Sequence, residues 1–459
     1  MKRQTKRLGA FWAAALGTFA AFAFSAASAS AQMDMGMGMG MGPAPDFYSR
    51  QAESSPESKF FAENQTAFAL KLYRGATEGA KTDANVLVAP FSVFRGLNAL
   101  SLGSAGKTKA EIDAALGRSD VADETWIRTL AAVDSSLNAA PETTFAGALW
   151  FAPDLKLDET FVQRCKETSR IEAAAFDFAA PNALKKANAW FARNTGRKIH
   201  NFLTELNPET RLLIADATTF KATWRIEFEL EKTQTRFFTD VRGEKIPVAT
   251  MRETAPFKYC DAGNFQYLEA LYKGGRFAFV VVLPREGESF VDVERSLTPA
   301  LLRECRERAE QTTVALRLPR FKVERSFDLA ATLKKAGVVS AFGPDADLSP
   351  ITGGEEPLQV DQAKQAAFIS VNEKGTEAGA ATMQAMMMGA AIPNVEFYAD
   401  RPFVYFIRDN ATGAVLFAGR LVAPEPDGKT TDAEYWEKED QEEKERKAKE
   451  FSERRERLF

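Results

Sequence analysis

The sequence contains very few of the residues on which hydrolytic and metal chemistry depend. Its 459 residues include one histidine, His200, and three cysteines, Cys165, Cys260 and Cys305. A Ser-His-Asp triad and most zinc sites would have to be built around that single histidine, whose surroundings, RKIHNFL, are those of a residue at a helix end. The cysteines are odd in number and widely spaced, so they predict at most one disulfide.

Features typical of enzymes and of nucleic-acid-binding proteins are also missing. A formal net charge of −4 gives the chain no basic surface for nucleic acid. No G-x-S-x-G elbow, H-E-x-x-H motif or zinc-spaced cysteine pair occurs. The segment SLGSAGKT, residues 101–108, ends like a phosphate-binding loop, but it lacks the first glycine and follows a helical pattern. We therefore predict that the protein is not an enzyme and binds no cofactor and no metal.

The N-terminal residues, 1–31, have the pattern of a cleaved secretory signal. Four basic residues among the first seven precede the apolar run LGAFWAAALGTFAAFAF, and the small residues Ala-Ser-Ala follow at 29–31. We expect the mature chain to begin at Gln32. No cysteine lies near that point, so a lipoprotein anchor is not indicated. No later apolar run is long enough to span a bilayer. The expected product is a secreted or periplasmic monomer without a transmembrane segment.

Low-complexity segments lie at both ends of the mature chain. Residues 33–45 alternate methionine with glycine and predict a flexible linker, which we extend over 32–58. Closely spaced thioethers could also bind Cu(I), but the segment lacks histidine and cysteine, so the linker interpretation is preferred. Residues 425–459 carry mixed charges with few apolar positions and predict a solvated tail, helical or disordered.

The region between these ends, 59–424, predicts a large α+β domain. Helical spacing dominates its first part, where Thr108 and Glu111 have the spacing of a capping box. Strand-like runs follow, including RLLIADATTF, FAFVVVLP and QAAFISVN, and the last pair of strands predicts a hairpin turning at Asn410 to Gly413. Helices come early and strands late, without βαβ alternation, which favours α+β over α/β.

Seven segments of this region, taken in order, carry a resemblance to a known family. They are NVLVAPFSVFRGLNALSLGSAGKTKAEI, DATTFKATW, FQYLEALYKGGRFAFVVVLP, LPRFKVERSFDLAATLKKAGV, AFGPDADLS, FISVNEKGTEAGAAT and ADRPFVYFIRDNATGAVLFAGRLV. Together they resemble the signature blocks of the serpin family of protease inhibitors, from about Lys59 to Pro424. The resemblance implies the serpin fold, with a large mixed β-sheet, smaller sheets, helices mainly in the N-terminal half and an exposed reactive-centre loop.

The resemblance gives a function to the segment NEKGTEAGAATMQAMMMGAAIPN, residues 372–394. In the family a protease attacks one bond of this loop and is trapped covalently, because the cleaved loop inserts into the main sheet as a new strand. Insertion requires small, uncharged side chains at alternate positions. Here Thr376, Ala378, Ala380 and Thr382 would face inward, and we expect all of them to be exposed before cleavage. The implied hinge comprises Glu373, Gly375, Thr376, Ala378, Gly379, Ala380, Ala381 and Thr382.

The residues that control loop entry depart from the family pattern. Ser92 and Trp224 are retained. Where the family usually places an asparagine, a serine and a histidine, this sequence has Asp216, Ala89 and Gln365. An unpaired buried carboxylate is costly, so we expect Asp216 to have a hydrogen-bond partner.

The main alternative is a serpin that binds or carries a ligand and inhibits nothing. Such members tend to have charged, bulky or proline-bearing hinges, and the inward positions of this hinge have none of these features. A hydrolase is disfavoured because the sequence shows no nucleophile with a base.

The expected target follows from the bond that the loop presents. Counting forward from Glu373 by the family's usual hinge length places the reactive residue at Gly389, whereas counting back from Arg401 by a common spacing places it at Met388. We favour the bond Met388-Gly389, because a methionine side chain fills an apolar pocket. No lysine or arginine lies between Lys374 and Arg401. A trypsin-like pocket would therefore leave its carboxylate unpaired. We expect an extracytoplasmic protease of the chymotrypsin-, elastase- or subtilisin-like kind, held as a covalent acyl complex.

Overall fold

A computed structural model describes residues 56–354, 356–376 and 392–456 of the chain. All of them belong to one unit of the chain, Asp46–Phe459. None of the helices in these residues is both long enough and apolar enough to cross a membrane.

The helices lie mainly in the first half of the chain, as the resemblance implied. Six of the eleven α-helices in the described residues end before residue 200. They are α1 (Pro56–Gly79), α2 (Pro90–Leu102), α3 (Gly106–Ala115), α4 (Asp123–Asn138), α5 (Glu159–Ser169), α6 (Ala183–Asn194), α7 (Phe290–Ser296), α8 (Pro299–Arg308), α9 (Leu329–Lys335), α10 (Ser349–Thr352) and α11 (Thr430–Glu456).

The strands of the described residues form two sheets. Seven strands make the main sheet, in the order β3-β2-β4-β12-β13-β5 with β11 also beside β12. Nine make the second sheet, in the order β1-β16-β15-β9-β8-β7-β10-β14 with β6 beside β7. The strands are β1 (Val86–Val88), β2 (Thr143–Phe151), β3 (Ile171–Ala175), β4 (Leu212–Phe220), β5 (Ala222–Thr223), β6 (Gln234–Thr239), β7 (Lys245–Asp261), β8 (Phe265–Leu271), β9 (Phe277–Pro284), β10 (Glu310–Pro319), β11 (Phe321–Asp328), β12 (Gln362–Asn372), β13 (Gly375–Thr376), β14 (Val395–Tyr398), β15 (Phe403–Asp409) and β16 (Val415–Leu421).

The main sheet is mixed and has a parallel pair at its centre. Strands β4 and β12 run parallel, with Gln362–Ala367 opposite Leu213–Thr218, whereas β2 and β11 are antiparallel to their central neighbours. Alternate residues of β4 face two different cores. Leu212 and Ile214 belong to the large core on the α2 side, and Leu213 belongs to the smaller core under α6. Burial on both faces explains the apolar run Leu212–Ala215 at the start of this strand.

The second sheet contains the predicted hairpin. Strands β15 and β16 are antiparallel, and the chain turns between Asp409 and Ala414. Gly413 has φ +74°, and a Cβ there would lie 2.5 Å from the Cβ of Ala62, so the turn requires glycine for both reasons. The hairpin prediction is confirmed.

One local prediction is wrong. Thr108 and Glu111 do not form a capping box, because α3 begins at Gly106 without a side-chain cap. The Thr108 hydroxyl accepts a hydrogen bond from the Asp347 amide at 2.9 Å, and the Glu111 carboxylate accepts one from the Ser340 amide at 2.7 Å. Both residues tie α3 to segments more than two hundred residues away in sequence, which a local motif cannot reveal.

The three cysteines and the single histidine differ in exposure. Cys165, Cys260 and Cys305 are buried free thiols. Burial raises the pKa of Cys165 and of Cys305 to about 12, so both are neutral at ordinary pH. His200 is exposed, beyond the end of α6.

Candidate strand-insertion site

The short strand β13 lies inside the main sheet, between β12 and β5. Thr376 pairs with Val371 of β12 on one side and with Ala222 of β5 on the other. Strand β5 continues the line of β4 after a single residue, Lys221. Strands β4 and β12 are therefore direct neighbours along part of their length and are separated by β13 further along. The sheet is already open at this end and holds two residues of the following segment.

Thr376 is fully buried in this position. Its exposed fraction is 0%, and its Oγ1 lies 2.5 Å from the hydroxyl oxygen of Tyr272. The Tyr272 ring stacks on Trp224 with centroids 4.5 Å apart, and burial raises the Tyr272 pKa well above its usual range. The expectation that Thr376 is exposed before cleavage is therefore wrong. Its small side chain fits a position between two strands, so the ladder extends to it without a steric penalty.

Glycine is required at position 375, beside the same opening, for two reasons. Its φ is +149°, a conformation that side chains rarely permit. A Cβ at this position would also lie 2.0 Å from the carbonyl oxygen of Ala222. Gly375, which the resemblance places in the hinge, thus also allows β13 to lie against β5.

The turn before β13 is fixed by hydrogen bonds to the main chain and to Glu373. Trp224 donates its indole Nε1–H to the Asn372 carbonyl at 2.8 Å and its amide to the Lys374 carbonyl at 2.9 Å. The Glu373 carboxylate pairs with Arg320 and accepts from the Thr233 hydroxyl at 2.8 Å. Burial alone would raise the Glu373 pKa, but the hydrogen bond from Arg320 holds it below its usual value. The carboxylate therefore stays charged and anchors the turn.

A second polar group joins β4 and β12 where they are still paired. Asp216 and Gln365 are opposite each other in the parallel register, and the Gln365 Nε2–H donates to Asp216 Oδ1 at 2.6 Å. Ser92 of α2 donates its hydroxyl to the other carboxylate oxygen. The Gln365 Oε1 accepts from the Ala89 amide at 2.9 Å. Asp216 therefore has the hydrogen-bond partners that its burial required.

The Asp216 carboxylate is poorly solvated in spite of these bonds. Burial raises its pKa to about 6, while the bonds from Ser92 and Gln365 and the more distant Arg95 lower it. The group that links the two separable strands therefore titrates in a mildly acidic range.

The structure brings together Glu373, Gly375, Thr376 and Trp224 at the opening, and Ser92, Asp216 and Gln365 at the paired part of the strands. The remaining residues of the predicted loop site, Ala378, Gly379, Ala380, Ala381, Thr382, Met388 and Gly389, lie outside the described residues.

The sequence reasoning missed Tyr272, Thr233 and Arg320. Tyr272 lies in an apolar strand block, where an aromatic residue has no signal that separates it from ordinary core. Thr233 and Arg320 contact Glu373 from positions 140 and 53 residues away in sequence.

Fold and site together define a class of protein with a large mixed sheet that holds a short segment of the chain, β13, between two of its other strands. A family model described as Serpin (serine protease inhibitor) matches residues 63–424. The chain belongs to the serpin family.

Relatives and solved structures agree with this assignment. A serpin-like protein of Thermococcus kodakarensis is 33% identical over 366 residues, 78% of this chain and 84% of that protein. Leukocyte elastase inhibitor of Sus scrofa is 32% identical and covers 78% of this chain and 98% of its own.

Among solved structures, the native thermophilic serpin tengpin superposes with a TM-score of 0.73 at 26% identity, covering 81% of this chain and 96% of tengpin. Human thyroxine-binding globulin has the same TM-score and identity, covering 80% of this chain and 99% of its own. This second structure is described as a complex with thyroxine.

Replacing Asp216 with asparagine should flatten the pH dependence of stability. The folded-state pKa of about 6 lies above the ordinary 3.8, so folding takes up a proton between these values. The free energy of unfolding should then fall as pH rises from about 4 to about 6, by up to ~3 kcal/mol. An asparagine oxygen can still accept from Gln365, and its amide NH2 can donate to the Ser92 hydroxyl, so two bonds remain without a charge. Asp216→Asn should therefore melt higher than the parent protein at pH 7.5.

Melting temperatures measured from pH 4.5 to pH 7.5 test this expectation. The exposed Asp120→Asn is a matched control, which should leave the pH slope unchanged. Equal slopes for Asp216→Asn and the parent protein would contradict the assigned role.

Thr376→Arg should destabilise the uncleaved protein. A guanidinium cannot remain at a fully buried strand position without a partner, and its entry would leave the Tyr272 hydroxyl unpaired. The expected cost is about 1–3 kcal/mol or loss of β13 from the sheet. The melting temperature should fall, and the fluorescence of Trp224, which stacks on Tyr272, should change. Thr144→Arg, at an exposed position of β2, is the control. An unaltered midpoint and spectrum for Thr376→Arg would show that β13 does not lie in the sheet.

Proposed function

We propose that this serpin inhibits serine proteases as a suicide substrate. The protease serine attacks the Met388 carbonyl, an acyl-enzyme forms, and the chain beginning with the Gly389 amine is released. The freed segment then extends β13 between β4 and β12 before water can hydrolyse the ester. The observation that carries this proposal is β13 itself, which already occupies the first two positions of that path.

The hydrogen-bond balance favours continued insertion. Strands β4 and β12 form one ladder over Gln362–Ala367. A strand placed between them replaces that ladder with two, so the net change is a gain of one ladder. The Asp216–Gln365 bond must break during this step, and it is the polar link that resists opening. Continuing the alternation from Thr376 places Ala378, Ala380 and Thr382 on the inward face, where small side chains are required.

A binding or carrier function is the other candidate, and the structural likeness to thyroxine-binding globulin shows that the fold can serve one. The described residues of the hinge favour insertion, because they contain no bulky or charged side chain that faces into the sheet. Glu373 carries a charge, but it is held by Arg320 before the strand begins. The inhibitory function is therefore the better supported of the two.

The proposed targets are chymotrypsin-, elastase- or subtilisin-like proteases outside the cytoplasm. The methionine at the proposed bond suits apolar primary pockets. The likeness to a relative named as a leukocyte elastase inhibitor supports the same range. We further propose that residues 1–31 direct export and that the mature protein acts as a secreted or periplasmic monomer.

Incubation with chymotrypsin, elastase, subtilisin and trypsin tests the function. An SDS-stable complex should form with one or more of the first three and not with trypsin. Mass spectrometry of the released fragment should find Gly389 at its N-terminus, whereas Ala390 there would move the reactive bond to Gly389.

Two matched variants separate insertion from simple cleavage. Ala378→Arg, at an inward position, should be cleaved without forming a complex because the guanidinium would have to enter the sheet. Glu377→Arg, at the neighbouring outward position, should still trap the protease. Cleavage of the parent protein without any complex would favour the carrier function, and efficient trapping of trypsin would contradict the proposed specificity.

A further inference from the structure

The C-terminal helix α11 is docked on the second sheet, although its charge pattern predicted a solvated tail. It lies beyond the residues that the family model matches, which end at 424. Ala433 is fully buried against the sheet, and the Arg236 guanidinium lies 5.2 Å from the centre of the Trp436 ring. Lys245 of β7 pairs with Glu437. The first turns of α11 are therefore attached to β6 and β7 by packing and by charge.

Asp440 is the polar centre of this attachment. Its carboxylate accepts two hydrogen bonds from Arg317, at 2.5 and 2.9 Å, and also pairs with Arg236. Arg236 is only 8% exposed, and its burial together with the nearby Arg317 lowers its pKa to about 10. Without Asp440, two guanidinium groups would face each other with little access to water. Because two arginines bind the same carboxylate, this contact is stronger than an ordinary surface ion pair.

Arg317 carries the attachment to β14. It is opposite Tyr398 in the parallel register of β10 with β14, and its guanidinium lies 4.0 Å from the centre of the Tyr398 ring. A cation this close to a ring face is favourable, most of all where water is excluded. Asp440, Arg317 and Tyr398 thus form a continuous series of contacts from α11 to β14.

Strand β14 is in a position to hold the far end of the reactive segment. It is an edge strand of four residues, and β10 is its one strand neighbour in the described residues. The segment that would enter the main sheet begins at β13 and ends at β14. Its uncleaved form is therefore tethered at both ends.

Full insertion of the uncleaved segment would put β14 under tension. If the register of Val371 with Thr376 continued, residue 385 would lie opposite Gln362, about 30 Å along the sheet. The ten residues from there to Val395 span at most about 35 Å when fully extended. If the return path covers the same distance of about 30 Å, it uses nearly all of that length, and full insertion of the uncleaved segment would then pull on β14.

We propose that α11 is a clamp in which Asp440, acting through Arg317, holds β14 on the second sheet so that insertion waits for cleavage. Asp440 and Arg317 are positioning residues, since neither contacts the reactive bond in this scheme. The proposal rests on the inhibitory function, and it assigns a role to a segment outside the matched family region.

Hydrogen exchange of the full-length protein tests the clamp without relying on inhibition. Asp440→Asn should speed exchange of the Val395–Tyr398 amides about tenfold, while the amides of β15 keep their rates. Glu439→Gln, an exposed neighbour with the same change in charge, should have no effect, and Asp440→Glu should largely restore the parent rate. If Asp440→Asn fails to fold, Arg317→Gln breaks the same series of contacts and leaves Asp440 paired with Arg236.

A second measurement links the clamp to insertion. On mild heating without protease, Asp440→Asn should lose trapping activity several-fold faster than Glu439→Gln, as uncleaved molecules insert their loops. Unchanged β14 exchange in both Asp440→Asn and Arg317→Gln would overturn the clamp and leave the inhibitory function standing. Absence of trapping by the unheated parent protein would instead count against the inhibitory function, while exchange would still report on the clamp.

Discussion

The parallel pairing of β4 with β12 is the interaction on which the rest of the structure depends. The two strands form a ladder over part of their length, and β13 separates them beyond it. A third strand between them would replace one ladder with two. Under the proposed function, the uncleaved arrangement persists only while the segment after β13 is held at its other end. The hinge, the polar link between the strands and the attachment of β14 all act on this one pairing.

The link between the strands is polar where an apolar contact would have been simpler. Asp216 and Gln365 satisfy each other and bind Ser92 and Ala89, so no hydrogen bond is missing. Burial nevertheless raises the Asp216 pKa to about 6, which means that the charged form is costly at neutral pH. The polar link between Asp216 and Gln365 therefore keeps β4 and β12 paired but adds little to the stability of the sheet. That is what the pairing requires if a third strand is to enter after cleavage.

Much of the fold could be predicted from the sequence, and the parts that could not depend on distant contacts. Ordered sequence blocks predicted the serpin fold, and local turn residues predicted the β15–β16 hairpin. Burial of Asp216 predicted a partner, although its identity came from the structure. The burial of Thr376 was missed because Tyr272, 104 residues earlier, forms the wall of its position. The docking of α11 was missed because the arginines that bind Asp440 lie 123 and 204 residues away, on two strands.

Melting temperature before and after cleavage tests the central claim most directly. A protease should cut the purified protein once within residues 377–391, and the two fragments should be kept together for the measurement. If the freed segment enters between β4 and β12, the midpoint rises sharply, because the sheet gains a ladder and the tether at β14 no longer opposes insertion. An ordinary protein nicked in a loop keeps its midpoint or melts lower. An unchanged or lower midpoint would contradict the account.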